Sequence, residues 1–206
     1  MTEKDVLKPQ LWTERPVEET IEVYTDWADR YDADVTARGY HTPKRIAAAL
    51  VPFLDAQDAR PVLDFGCGTG ISGAALREIG IENVHGTDIT AMMLDKAAPK
   101  RIYKKLWLSP PGALEVRVGQ YKAVVATGVV SLGAAPPETM DILMAALNAG
   151  DYLAMSFNDP TLEHGGYDAR LAQHIEEGAV EQVFREHGPH LDDTDMHSDV
   201  LVLRRL

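Results

Sequence analysis

Cysteine is nearly missing from this sequence: Cys67 is the single one in 206 residues. One thiol makes neither an intramolecular disulfide nor a cysteine-rich metal framework, so a reducing, cytoplasmic setting is the expectation. Positive charge is also short, with 20 Lys+Arg against 32 Asp+Glu and a net charge of −12. No basic run is long enough to follow a phosphate backbone, which argues against nucleic-acid binding and leaves small molecules or basic proteins as partners. Long apolar runs are absent as well. The most apolar stretch, residues 123–135, is short and interrupted by glycine, so no membrane span is predicted. The opening residues 1–10 are charged and lack an apolar centre, so no signal peptide is read there. What remains is 45% hydrophobic and 25% charged residues, the composition of a globular chain able to bury a core. With no repeat, low-complexity tract or dividing linker, the expectation is a single domain over 1–206.

Val17, Ile21, Tyr24, Trp27, Ala28 and Tyr31 recur at helical spacing, with Glu18, Glu19, Glu22, Asp26 and Asp29 between them. This predicts an amphipathic helix whose aromatics are read first as core packing. A second helix is predicted to start at Thr42, its hydroxyl capping the first turn and Pro43 supplying a pre-set φ, with its body over 44–54. After a polar turn, Pro61-Val62-Leu63-Asp64-Phe65 reads as a strand that ends in Gly66-Cys67-Gly68-Thr69-Gly70, followed by a helix over 71–79. A strand with an acidic end covers 83–88, and a helix 91–98. Residues 100–120, divided by Pro110-Pro111-Gly112, carry no clear pattern. Residues 121–130 lack alternation and suit a strand buried on both faces of a parallel sheet. Pro136-Pro137-Glu138 opens a further helix. The remainder reads as a strand over 151–157, a loop over 158–166, a helix over 167–177, and strands at 180–186 and 200–203. Strands alternating with helices predict a doubly wound α/β fold.

The glycine loop is the most informative segment. Glycines at a strand-to-helix turn accept positive φ and let a ligand lie on bare backbone near the helix amides. Asp88 stands about 20 residues on, at the tip of the next strand, where a carboxylate accepts hydrogen bonds from ribose hydroxyls. Together they describe a nucleoside site. Gly68-Thr69-Gly70-Ile71-Ser72-Gly73 also satisfies the dinucleotide pattern G-x-G-x-x-G, so an NAD-type oxidoreductase competes as a reading. Register separates the two, because Asp64 and Gly66 lie between the strand and Gly68. A carboxylate beside the ligand repels a pyrophosphate and attracts the ammonium of an amino-acid tail.

Asp64-Phe65-Gly66-Cys67-Gly68-Thr69-Gly70 resembles the first motif, acid-x-Gly-x-Gly-x-Gly, of the class I S-adenosylmethionine-dependent methyltransferases. Tyr24-Thr25-Asp26-Trp27-Ala28-Asp29-Arg30-Tyr31-Asp32 is similar to the N-terminal segment of the ubiquinone-biosynthesis-type and Williams-Beuren-region methyltransferase-like group. The resemblance implies a mostly parallel, seven-stranded Rossmann-like sheet with an antiparallel C-terminal strand, the core over 42–206, and an N-terminal helical lid within 1–41. It implies S-adenosyl-L-methionine as cofactor, with S-adenosyl-L-homocysteine as product. It further implies Asp64, Gly66, Cys67, Gly68 and Gly70 around the methionine and ribose portions, and Asp88 on the ribose. Ile89 and Met93 would flank the adenine, Tyr31 and then Tyr24 would act from the lid, and Thr127 and Gly128 would lie near the methyl group. One departure is clear: where the family often has an acid after the third strand, this sequence has Ser109-Pro110-Pro111.

Methyl transfer from a sulfonium needs alignment and water exclusion more than dedicated catalytic groups. No Asn/Asp-Pro-Pro-aromatic motif follows the fourth strand, where Thr127-Gly128-Val129-Val130 stands instead, so amino-methylation of nucleic acid is not expected. Cys67, with no base nearby in sequence, reads as structural. His164, in the predicted loop after the fifth strand, is the candidate base. Residues 186–199 concentrate His and Asp, but their spacing matches no metal-ligand pattern and they read as a solvated loop. The expectation is a methyltransferase acting on a small-molecule acceptor, against two alternatives: the oxidoreductase, and an inactive cofactor-binding partner protein.

Overall fold

The computed structural model describes residues 9–206, so the reading of residues 1–10 lies outside the described part except for the backbone of its last two positions. Strands β1 (Val62–Phe65), β2 (Val84–Asp88), β3 (Lys105–Leu108), β4 (Ala123–Ala126), β5 (Tyr152–Asn158), β6 (Val180–Leu191) and β7 (Met196–Arg205) form one sheet in the order β3-β2-β1-β4-β5-β7-β6. The first five run parallel, whereas β7 pairs antiparallel with both β5 and β6. Chain order reverses between β1 and β4. In doubly wound sheets a ligand crevice opens at the carboxyl ends of the strands at such a reversal.

Pleating divides the core. Val124 and Ala126 of β4 face one side with Leu153, Met155 and Leu201, while Ala123 and Val125 face the other with Ala154, Val200 and Val202. The first side is covered by α6 (Thr139–Ala145) and α8 (Gly166–Glu176), the second by α3 (Thr42–Leu50) and α4 (Ile71–Glu78). Burial on both faces explains why residues 121–130 show no alternation. Only four of them form β4. The unpatterned stretch 100–120 holds β3, a half-exposed edge strand of four residues, too short to show a period.

The helix predicted from Val17 breaks in two, α1 (Val17–Trp27) and α2 (Tyr31–Ala37), and Trp27 Nε1 donates to Asp34 Oδ2 at 2.7 Å across the break. α3 ends at Leu50 rather than 54, giving way to a 3-10 turn over Val51–Phe53 that contains Pro52. The predicted loop 158–166 is instead largely α7 (Asp159–His164), capped by Asn158, whose Oδ1 accepts from Thr161 N, with Pro160 in the first turn. The helix between β2 and β3 is α5 (Ala91–Ala97). Residues 186–199 are not a solvated loop either. β6 and β7 continue through them to the turn Asp192–Thr194, and the acids there bind the N-terminal segment: Asp192 N donates to Arg38 O, Asp193 pairs with Arg38, and Asp192 with His41.

Thr42 does not cap α3. Its hydroxyl is buried against His190 Nδ1 at 2.7 Å and Ser198 Oγ at 3.1 Å, and Arg45 donates to Ser198 Oγ at 3.1 Å. Thr42→Val keeps the shape and removes both bonds, so it is expected to lower unfolding free energy by about 1–3 kcal/mol, while Thr42→Ser costs little. Urea denaturation of the two variants checks this; equal loss in both would contradict it.

Candidate functional site

A cavity of about 880 Å³ opens at the carboxyl ends of β1, β2 and β4. This is near the upper end of the range for ligand pockets, about 300–1,000 Å³. Its floor is the turn after β1. Gly66 and Gly68 both carry positive φ, +66° and +52°, but for different reasons. A Cβ on Gly66 would lie 2.3 Å from Val129 Cγ2, so that glycine makes room for the protein itself. A Cβ on Gly68 would meet no atom within 4 Å, and Gly68 lines the cavity, leaving bare backbone toward a ligand. Gly70, at φ +97°, forms the left-handed start of α4 and does not line the cavity.

Asp88 closes β2 at the cavity wall and is buried. Gly68 N and Thr90 N each donate to it at 2.8 Å, so one carboxylate links the loop after β1 to the start of α5 and keeps lone pairs toward the cavity. Burial raises its pKa against those two backbone donors. Ile89 and Met93 follow on the same wall, as do Thr127 and Gly128 after β4.

Asp64 lies one layer deeper than the sequence implied. It is fully buried and does not line the cavity; its Oδ2 accepts from Ser72 Oγ at 2.6 Å and Tyr103 OH at 2.7 Å. Burial outweighs the two hydroxyls and pushes its pKa up to about 6. Cys67 likewise lies beneath the floor, buried, with its thiol pushed up by burial and by the neighbouring Asp64 and Asp88. That microenvironment is the opposite of one that activates a thiol. Three buried side-chain oxygens have no hydrogen-bond partner among the described residues: Asp64 Oδ1, Ser109 Oγ and Thr127 Oγ1. Ser109 and Thr127 are on the cavity wall and Asp64 is behind its floor. Unsatisfied buried oxygens are rare in native proteins, and the two on the cavity wall, Ser109 Oγ and Thr127 Oγ1, are groups that a ligand can satisfy.

The roof comes from the N-terminal helices. Tyr24 and Tyr31 line the cavity, and Trp27, buried behind them, stacks on Tyr24 at 6.1 Å and meets Tyr31 edge-on at 4.6 Å. Burial raises the pKa of both tyrosines, keeping them neutral. Polar ties hold the roof: Asp32 accepts from Thr69 Oγ1 in the glycine loop and pairs with Lys100, and Asp29 pairs with Lys96 of α5.

His164 is not in the cavity. It ends α7, where it pairs with Glu14 at 3.3 Å, accepts from Gly166 N and meets the Tyr167 ring edge-on. Sequence reasoning also missed residues. Tyr103 fills the space left by Gly70, Gly73 and Gly86 and reaches Asp64, but it falls in the unpatterned stretch. Ser109 was placed correctly after β3 and valued only for not being an acid; it brings a partnerless hydroxyl to the cavity wall.

A family model described as a methyltransferase domain matches residues 38–199. Human methyltransferase-like protein 27 is 33% identical over 119 residues, covering 56% of this chain and 49% of the relative. The ribosomal protein L11 methyltransferase of Methylococcus capsulatus is 36% identical over 73 residues, 32% of this chain and 25% of that protein. The chain thus spans about half the length of the first relative and a quarter of the second. Magnesium protoporphyrin IX methyltransferase from Synechocystis PCC 6803, solved with bound SAM, superposes with a TM-score of 0.68 at 18% identity over 94% of this chain and 100% of that one, a likeness of fold. The match across residues 38–199 makes the chain a member of the methyltransferase domain family.

Proposed function

We propose that the chain is an S-adenosylmethionine-dependent methyltransferase that accepts a small molecule in the same cavity. The observation that carries the reading is the convergence of Gly68, bare toward the cavity, with Asp88 and the two partnerless oxygens of Ser109 and Thr127 on the cavity wall. The donor set suits the cofactor part by part. Asp88 can accept from ribose hydroxyls, Ser109 Oγ from the adenine amino group at the place where the family often has an acid, and Asp64, buried beneath the floor, adds negative charge below an ammonium. When bound, the cofactor supplies a methyl group on a sulfonium. The work left to the chain is to align that methyl with a nucleophile and exclude water. Gly128 and Thr127 border the transfer side, and the Tyr24–Tyr31 roof excludes solvent. A small acceptor is favoured because much of the remaining wall is apolar and roofed, with Val129, Ala134, Pro136, Ile142 and Tyr167 on it.

S-adenosylhomocysteine at 100 times its dissociation constant adds about 2.7 kcal/mol, and is expected to raise the melting temperature by several degrees at about 2–4 °C per kcal/mol. NADH at the same concentration should leave it unmoved. Asp88→Ala is expected to weaken S-adenosylhomocysteine by about 1.5–3 kcal/mol per hydrogen bond lost to the charged group; unchanged affinity in calorimetry would remove Asp88 from the site.

Asp64 makes binding depend on pH. Its pKa near 6 in the free chain falls when an ammonium approaches, so the deprotonated form binds better. Affinity should therefore rise with pH through about 6 and level off above it, and Asp64→Asn should remove that part of the slope. Folding carries the opposite sign: a carboxyl raised above its unfolded value stabilises the ligand-free chain at low pH, and that contribution fades as pH climbs through about 6. The roof gives one further expectation. Asp32→Ala, which cuts the ties to Thr69 and Lys100, should speed release of S-adenosylhomocysteine in stopped-flow measurements, and added salt should do the same to the wild type.

A further inference from the structure

A side chamber of about 60 Å³ adjoins the cavity, sharing Tyr24, Tyr31 and Gly128 with it and lying toward the carboxyl ends of β5 and β6. Two of its wall residues, Asn158 at the end of β5 and His190 near the end of β6, are each 7% exposed. Neither is needed in full by the fold. Asn158 spends Oδ1 on Thr161 N and Oγ1, and its Nδ2 makes no hydrogen bond among the described residues. His190 uses Nδ1 against Thr42 Oγ1, and its Nε2 has no partner there.

We assign the tautomer in which Ser198 Oγ, accepting from Arg45, donates to Thr42 Oγ1 and Thr42 in turn donates to His190 Nδ1. In that arrangement every hydroxyl proton is used, and the imidazole proton sits on Nε2. Burial pushes the His190 pKa down to about 4, against Asp159, which raises it, and with Arg45, which lowers it, so the ring is neutral near pH 7. The open capacity of both side chains is therefore donor capacity: two N–H groups from Asn158 and one from His190. The Tyr40 ring, on the same wall, meets the His190 ring edge-on at 5.2 Å.

The geometry points to a carboxylate site, formed by Asn158 Nδ2 and His190 Nε2 next to Gly128, that takes an acid group of a bound ligand. The inference rests on the reading of the cavity as a methyltransferase cleft. Two molecules of that reaction can bring a carboxylate, the cofactor through its amino-acid arm or the acceptor. A chamber of this volume exceeds the roughly 10–15 Å³ that one water needs and has room for a group of this size.

Asn158→Asp tests it while keeping the capping oxygen and turning the donor into an acceptor. His190→Asn is the second variant, leaving a polar atom where Nδ1 stands and deleting Nε2. In one arm, calorimetry compares S-adenosylhomocysteine with 5′-methylthioadenosine, which has the same nucleoside and no amino-acid arm. In the other, saturation-transfer NMR follows benzoate and butyrate on the protein saturated with S-adenosylhomocysteine. At least tenfold weaker binding is expected in both variants in one arm. Loss confined to S-adenosylhomocysteine, with methylthioadenosine unchanged, assigns the carboxylate to the cofactor; loss confined to benzoate or butyrate assigns it to the acceptor. Variants equal to wild type in both arms, or no carboxylate response in either, overturn the inference. A wild type that binds neither nucleoside overturns the functional reading and takes this inference with it.

Discussion

The burial of one carboxylate organises the ligand end of this molecule. Asp64 sits in the second layer under the glycine loop, and its Oδ2 receives hydroxyls from α4, through Ser72, and from the segment before β3, through Tyr103. Removing a carboxylate from water is costly unless donors surround it. The requirement reaches into the neighbouring sequence: the Tyr103 ring occupies space that a Cβ at Gly73 or Gly86 would enter at under 3 Å. Gly73 completes the dinucleotide-like pattern in the sequence, and here it serves a tyrosine inside the protein. The loop, the first turn of α4 and the approach to β3 are thus held by a single charged group, and Asp88 holds the other side of the loop through Gly68 N.

Above that floor, the roof is assembled from segments far apart in sequence. Asp32 ties α2 to the glycine loop, Asp29 ties the turn before it to α5, and Arg38 and His41 are held by Asp193 and Asp192 of the β6–β7 turn. A Cβ on Gly39 would lie 2.2 Å from Asp192 Oδ2, so the glycine lets the hairpin acid come close to the chain. Backbone pairing adds to this, with an antiparallel bridge between Tyr40 and Leu191 and His41 N donating to His190 O. The surplus of acid in the composition is in part the means by which the N-terminal helices are fastened.

What the sequence made legible followed local rules. The turn from Gly66 to Gly70 and the acid at the end of β2 were legible because turn geometry and strand ends leave a short-range pattern, and Gly66, Gly68 and Asp88 do meet on one cavity wall. The β4 region read correctly because burial on both faces erases alternation. Misreadings had tertiary causes. Thr42 has the right side chain to cap a helix, but a buried histidine 148 residues away takes its hydroxyl. The acids and histidines of 186–199 resembled a loop, and their pairing with β7 and with Arg38 and His41 is not visible in local composition. Tyr103 and β3 lay in a stretch broken by prolines, where no periodicity could develop, so the partner of Asp64 was out of reach.

The fastening of Arg38, Tyr40 and His41 to the far turn of the last hairpin also sets an order of events. These contacts span about 150 residues, and long-range pairings form late because loop closure precedes any gain from them. A chain emerging from the ribosome has β1, the glycine loop, β2 and α5 early, so Asp29 and Asp32 find their partners there, while the anchors of Arg38, Tyr40 and His41 wait until β6 and β7 are out. The floor of the cleft is thus the early part of the molecule, and the side chamber, walled by His190 and Leu191, is complete only once the last hairpin has joined the sheet.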